Sequence, residues 1–89
     1  MNKKNSRRLT PKQLLAESAG WYGTAAILTA YALVSFDIIS GDGLVFQLLN
    51  LTGALGIIAI AIYKKVNQSI VLNTVWSVIA IVAIVNIFI

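Results

Sequence analysis

Cysteine and histidine are both absent from the chain. Their absence removes disulfides, a thiol nucleophile, an imidazole base and nearly every zinc or haem ligand set. Proline occurs once, as Pro11, so nothing in the later apolar runs interrupts a helix. Acidic residues are scarce as well: Glu17, Asp37 and Asp42 are the whole set. No two of them fall at one depth and on one face, which leaves glycosidase-like and two-metal chemistry without support. Gly53-Ala54-Leu55-Gly56 lacks the lysine and the loop of a phosphate cradle and reads as a packing patch. No catalytic, cofactor-binding or metal-binding residue is expected, and the chain is read as non-enzymatic.

What the chain has instead is oil. Of 89 residues, 58% are apolar and 11% charged, and the mean hydropathy is +0.85. A soluble domain this short buries only about 60% of the surface its unfolded chain exposes, too little to hide so much apolar side chain. Lipid is the expected solvent.

Residues 1–9 are polar and basic without apolar periodicity and are expected to form a mobile cytoplasmic tail. Order is expected from Thr10. There Thr10 stands as N-cap, Pro11 at the first helical position and Gln13 at the third, a capping-box spacing, with Leu9 and Leu14 at the staple positions. Three spans follow within a single domain over 10–89, at about 19–39, 44–63 and 69–89. Each holds about 20 residues, which at 1.5 Å per residue crosses a hydrocarbon core about 30 Å thick. Ser40, Gly41, Asp42 and Gly43 form the first turn, with the glycines free to take positive φ. Spans two and three are rich in Ile and Val but too long for strands, and open sheets do not exist in lipid. The fold class is therefore all-α: an integral membrane three-helix bundle with consecutive spans antiparallel.

Orientation follows from the cations. Lys3, Lys4, Arg7, Arg8 and Lys12 crowd the N-terminus, and Lys64 and Lys65 follow span two. Both groups fall on one side, so the positive-inside rule puts the N-terminus in the cytoplasm and the C-terminus outside. Trp21, Tyr22 and Tyr63 fall at the same cytoplasmic boundary. Glu17 lies there too and is read as a structural ion-pair partner for Lys64 or Lys65, while Asp37 is read as solvated at the outer headgroups. Ser6-Arg7-Arg8 and Ala30-Tyr31-Ala32 resemble a twin-arginine signal and its cleavage site, but the apolar run continues to Ile39 and cleavage is not expected. The basic tail is assigned to anionic lipid, not to nucleic acid.

Polar residues inside the spans are the candidate site. Gln47 and Asn50 lie toward the outer side, and Asn73, Trp76 and Ser77 toward the cytoplasmic side. Asn50 and Asn73 differ in depth by about 15 Å at 1.5 Å per residue, so they are not expected to hydrogen-bond each other. Gly53, Gly56 and Ala80 are expected to serve helix packing, where small residues let backbones approach. The polar residues then face either a helix interface or a small-solute cavity. Trp76 sits too deep for an interfacial anchor, and its indole N–H is expected to find Ser77 or a neighbouring amide. The small faces of spans two and three invite a homo-oligomer, most simply a two-fold dimer.

Gly20-Trp21-Tyr22-Gly23, Ala30-Tyr31-Ala32-Leu33, the run Gln47-Leu48-Leu49-Asn50-Leu51-Thr52-Gly53-Ala54-Leu55-Gly56, Tyr63-Lys64-Lys65, and Asn73 with Trp76 together resemble the CBU-like domain. The likeness covers about residues 20–88 and implies a bacterial inner-membrane protein of three spans without an assigned activity. A more distant likeness is to SemiSWEET half-transporters of the PQ-loop class, whose homodimers enclose a sugar site lined by Trp and Asn. Asn73 and Trp76 are the residues that map onto that pattern; the Pro-Gln dipeptide is missing and the expected orientation differs. Besides the lipid bilayer, the expected partners are a second copy of the chain and, in the half-transporter reading, a small neutral solute gated by Asn50. An accessory subunit of a larger membrane complex fits the same sequence.

Overall fold

The computed structural model describes residues 10–89. The basic tail expected over 1–9, and with it Leu9 of the staple, lies outside the described residues. Three helices account for most of the rest: α1 (Pro11–Ser35), α2 (Leu44–Lys64) and α3 (Asn67–Phe88). Thr10 caps α1 reciprocally. The Gln13 N–H donates to Thr10 Oγ1 at 3.1 Å, and the Thr10 N–H donates to Gln13 Oε1 at 2.9 Å, satisfying two amides that the first turn leaves without helical partners.

The helix ends differ from the sequence reading. Neither Gly41 nor Gly43 has a positive φ; that conformation falls on Asp37 (φ 59°) and Lys65 (φ 60°). Both sit just past a helix, where a left-handed residue turns the chain so that a later amide can reach back to an orphan carbonyl. The Ile38 N–H donates to the Leu33 carbonyl at 2.8 Å, and the Val66 N–H to the Ala61 carbonyl at 2.9 Å. The first closure ends α1 at Ser35, short of the expected Ile39, so that 36–43 is loop rather than a four-residue turn. The second reverses the chain within Lys65 and Val66, and α3 starts at Asn67 instead of Ser69.

Consecutive helices pack antiparallel. Along α1 and α2, Glu17 meets Lys64 at one end and Tyr31 meets Phe46 at the other. Between them the backbones approach closely, because the residues in contact lack bulk. A Cβ added at Gly23 would strike the Gly53 carbonyl oxygen, and one at Gly56 would strike the Ala19 carbonyl. Gly20, Gly23, Ala26 and Ala30 form the buried face of α1. Ala54 and Ala61, about 100° round α2 from Gly53 and farther from Gly56, are buried on the side left for α3. The facing stripe of α3 is Asn73, Ser77 and Ala80.

This placement opens the expected bundle. No Cα of α1 comes within 8 Å of a Cα of α3, because the two outer helices sit on separate faces of α2 and do not close a triangle. The core is accordingly made of small residues, and no large side chain is fully buried. Leu28, Leu55, Val71 and Ile79 all point outward, each more than half exposed.

Two of the helices, α2 and α3, are long and apolar enough to cross a membrane. The sequence reading expected three. α1 is long enough with 25 residues, but Lys12, Glu17 and its Gly, Ser and Thr positions lower its apolarity.

The close approach yields an ordered set of substitutions. Gly23→Ala and Gly56→Ala each force two backbones apart and are expected to cost about 1–3 kcal/mol of stability. Gly41→Ala is expected to be near neutral, since its Cβ would meet only Val34 Cγ1 at an ordinary 3.6 Å. Unfolding in detergent micelles, followed by helical circular dichroism, measures the order.

Candidate functional site

Because α1 and α3 lean away from each other, a groove of about 370 Å³ opens between them over α2. Ile57 forms its floor, Ile27 and Tyr31 one wall, and Leu72, Asn73 and Trp76 the other. Ile57 also borders a smaller hollow of about 210 Å³ toward the charged end, lined by Glu17, Gly20, Trp21 and Thr24. The groove is therefore apolar in its base and edged with neutral polar groups.

Several polar groups in the helices are satisfied within their own turn. Asn73 Nδ2 donates to the Ser69 carbonyl at 2.9 Å and lies 3.3 Å from Ser69 Oγ. Ser77 Oγ donates to the Asn73 carbonyl at 2.8 Å, and Thr24 Oγ1 to the Gly20 carbonyl at 2.9 Å. Back-bonding of this kind satisfies a polar side chain on a helix without a partner from a neighbouring element. It also corrects an expectation. Ser77 does not serve the Trp76 indole, because its hydroxyl is turned toward its own helix; the Trp76 N–H has no acceptor among the described residues. Tyr31 packs edge-on against Phe46, with ring centroids 6.3 Å apart and planes at 85°, and its hydroxyl likewise has no partner among the described residues. Asn73 Oδ1 has no donor among them.

A protein-family model matches residues 16–89, most of the chain, and supports the likeness seen in its motifs. The chain belongs to the CBU-like family. No curated protein and no solved structure matches it. The CBU-like chain thus brings no relative's ligand to its groove, and the roles of its residues rest on geometry.

Of the residues singled out from sequence, the fold brings Asn73 and Trp76 into the groove and leaves the others outside its lining. Asn50 is 4% exposed, and its Oδ1 is buried without a hydrogen-bond partner. As expected from depth, it does not bond Asn73. It is a buried acceptor in α2, inaccessible to a passing solute, and the gate role does not fit that position. Gln47 is spent on the outer loop, where Nε2 lies 3.4 Å from the Gly41 carbonyl. Ser77 is buried against α2. Gly53 and Gly56 pack against α1, and Ala80 is 1% exposed; the small faces that invited a second copy are occupied by the chain's own helices.

Near the charged end, Glu17 Oε2 lies 3.0 Å from Lys64 Nζ. With both side chains partly exposed, the pair contributes at most about 1 kcal/mol and mainly fixes register. The Tyr22 hydroxyl bonds Thr52 Oγ1 at 2.7 Å, a link from α1 to α2 that the sequence did not show. Sequence reasoning also passed over the Gly20, Gly23, Ala26, Ala30 stripe. Its signal is small residues recurring every three or four positions. Ile57 gave no such signal, since nothing local marks an isoleucine as a floor; Tyr31 was legible as a polar residue inside its span, but not as a wall of this groove.

The orphaned amide of Asn50 has a measurable consequence. Removing an unsatisfied buried acceptor in favour of an apolar group of similar volume is expected to leave stability unchanged or raise it by about 1 kcal/mol. Asn50→Leu tests this by unfolding in detergent. A loss of about 2 kcal/mol or more would mean that Oδ1 has a donor in the folded protein.

Proposed function

We propose that the chain is a three-span integral protein of the bacterial inner membrane that acts as a non-enzymatic binding module, its N-terminus cytoplasmic and its C-terminus outside. The observation that carries this reading is the lateral pairing of α1 with α2. Only 28% and 17% of the apolar windows of α2 and α3 are buried in the protein, so their side chains need lipid around them. α1 is fastened along α2 from Glu17–Lys64 to Tyr31–Phe46. A helix held alongside a membrane-crossing partner over that length shares its depth. Its glycines and threonines then lower the hydropathy without exposing much polar surface, because the glycines face α2 and Thr24 bonds its own helix.

The charges support the orientation. Lys12, Lys64, Lys65 and Glu17 cluster at one end, and Asp37 and Asp42 lie at the other. Binding without chemistry fits the groove: an indole, a phenol and an amide offer hydrogen bonds, and none is a nucleophile paired with a base. Fusions after Ile89 provide the test. Alkaline phosphatase placed there is expected to be active and a fluorescent reporter dark; a bright cytoplasmic reporter would overturn the topology.

A second reading, a dimeric half-transporter for a small neutral solute, is favoured by the convergence of Asn73, Trp76 and Tyr31 on one groove. It requires a second copy to close the open side. Its expected signature is solute uptake by proteoliposomes that Asn73→Leu abolishes. Uptake unchanged by the substitution would remove Asn73 from any transport path.

A further inference from the structure

The geometry points to a ligand that arrives through the lipid: the groove between α1 and α3 binds a neutral, bilayer-soluble molecule presenting carbonyl acceptors from a flat ring, the chemistry of a quinone head. The inference rests on the membrane-spanning reading above and adds the class of ligand. Its first support is access. The outer helices do not meet, so the groove opens sideways into hydrocarbon, and a molecule dissolved there enters without crossing a headgroup layer. The second is charge. Ile27, Ile57, Leu72, Tyr31, Asn73 and Trp76 line the groove with Ser69, and none is ionisable near neutral pH. A charged ligand would lie there without a counter-ion, at a cost of several kcal/mol in a low-dielectric site.

The third support is the balance of donors and acceptors. Asn73 Nδ2 is already committed to Ser69. Among the lining residues the groups still free to donate are the Trp76 indole N–H, which only donates, the Tyr31 hydroxyl and the Ser69 hydroxyl, against one free amide acceptor, Asn73 Oδ1. Lining residues whose free groups are mostly donors, in an otherwise apolar groove, match a molecule that carries acceptor oxygens and no obligatory donors. A sugar-like solute has the opposite character, with many hydroxyls and no apolar face. Flatness follows from the walls: indole and phenol rings on opposite sides favour a planar guest that lies against them. Asn73 Oδ1, the remaining acceptor, suits a ring C–H or hydroxyl edge.

The test uses the full chain with Trp21→Phe, leaving Trp76 as the sole tryptophan, in phosphatidylcholine nanodiscs. A short-chain alkyl naphthoquinone is titrated, and an alkyl naphthalene of the same shape, which lacks the carbonyls, serves as comparison. Saturable quenching of Trp76 by the quinone, displaced by a non-absorbing quinone analogue and absent with the naphthalene, is expected. Tyr31→Phe keeps the ring against Phe46 and removes only the hydroxyl; it is expected to weaken quinone binding about three- to tenfold, the range of one hydrogen bond. Quenching linear in concentration, or equal for the two compounds, would overturn the inference while leaving the membrane reading intact. So would Trp76 shielded from both compounds together with self-crosslinking across the groove, since a second copy would then be its occupant. Failure of the chain to enter nanodiscs at all, seen as protein that stays soluble without detergent, would sink the membrane reading first and the ligand with it.

Discussion

The arrangement of this protein depends on how closely two helix backbones come together. Between α1 and α2 the contact is made by Gly23, Gly53, Gly56 and Ala19, where added methyl groups would collide with carbonyl oxygens. In water, two helices are drawn together by the release of water from apolar side chains. Close backbone approach adds van der Waals contact between the helices themselves, which small residues maximise and which does not depend on the solvent around them. The glycine seam therefore fixes the distance between the helices, and the Glu17–Lys64 and Tyr31–Phe46 pairs at its ends fix the register.

From that seam the rest follows geometrically. α2 gives one face to α1 and another, about 100° away, to α3. Two partners held on adjacent faces of a central helix leave a wedge between them, and Ile57 lies at its base. The groove is thus a by-product of which sides of α2 carry small residues. Its walls take their character from whatever α1 and α3 present toward the wedge, namely Tyr31 and Ile27 from one and Trp76, Asn73 and Leu72 from the other.

The polar side chains on the helices fall into two groups. Ser77, Thr24 and Thr52 return their hydroxyl protons to carbonyls of their own helices, and Thr52 Oγ1 in addition accepts from the Tyr22 hydroxyl of α1. Trp76, Tyr31 and Asn50 have no such local outlet, because an indole or phenol is held away from its own backbone and Asn50 Oδ1 can only accept. Two of these three border open space, and the third is sealed between helices. The same physics therefore supplies a binding surface in one place and a local destabilisation in the other.

Composition and spacing by themselves determined the helical class, the cap at Thr10, the apolarity of α2 and α3 and the family likeness, because each depends on residues near one another in sequence or on bulk solvation; that Glu17 would meet Lys64 or Lys65 was legible only as a consequence of the antiparallel hairpin, and the choice of Lys64 was tertiary. Helix ends were less legible: the left-handed positions went to Asp37 and Lys65, since the turn is set by where an amide can reach back, and glycine is favoured there without being required. The open layer, the groove floored by Ile57, the burial of Asn50 and the use of Gly53 and Gly56 within the chain were decided only by tertiary structure. A sequence shows which residues share a helical face, but two small faces of one helix look alike until a particular neighbour occupies each, and only that choice determines which side chains are left facing the space between.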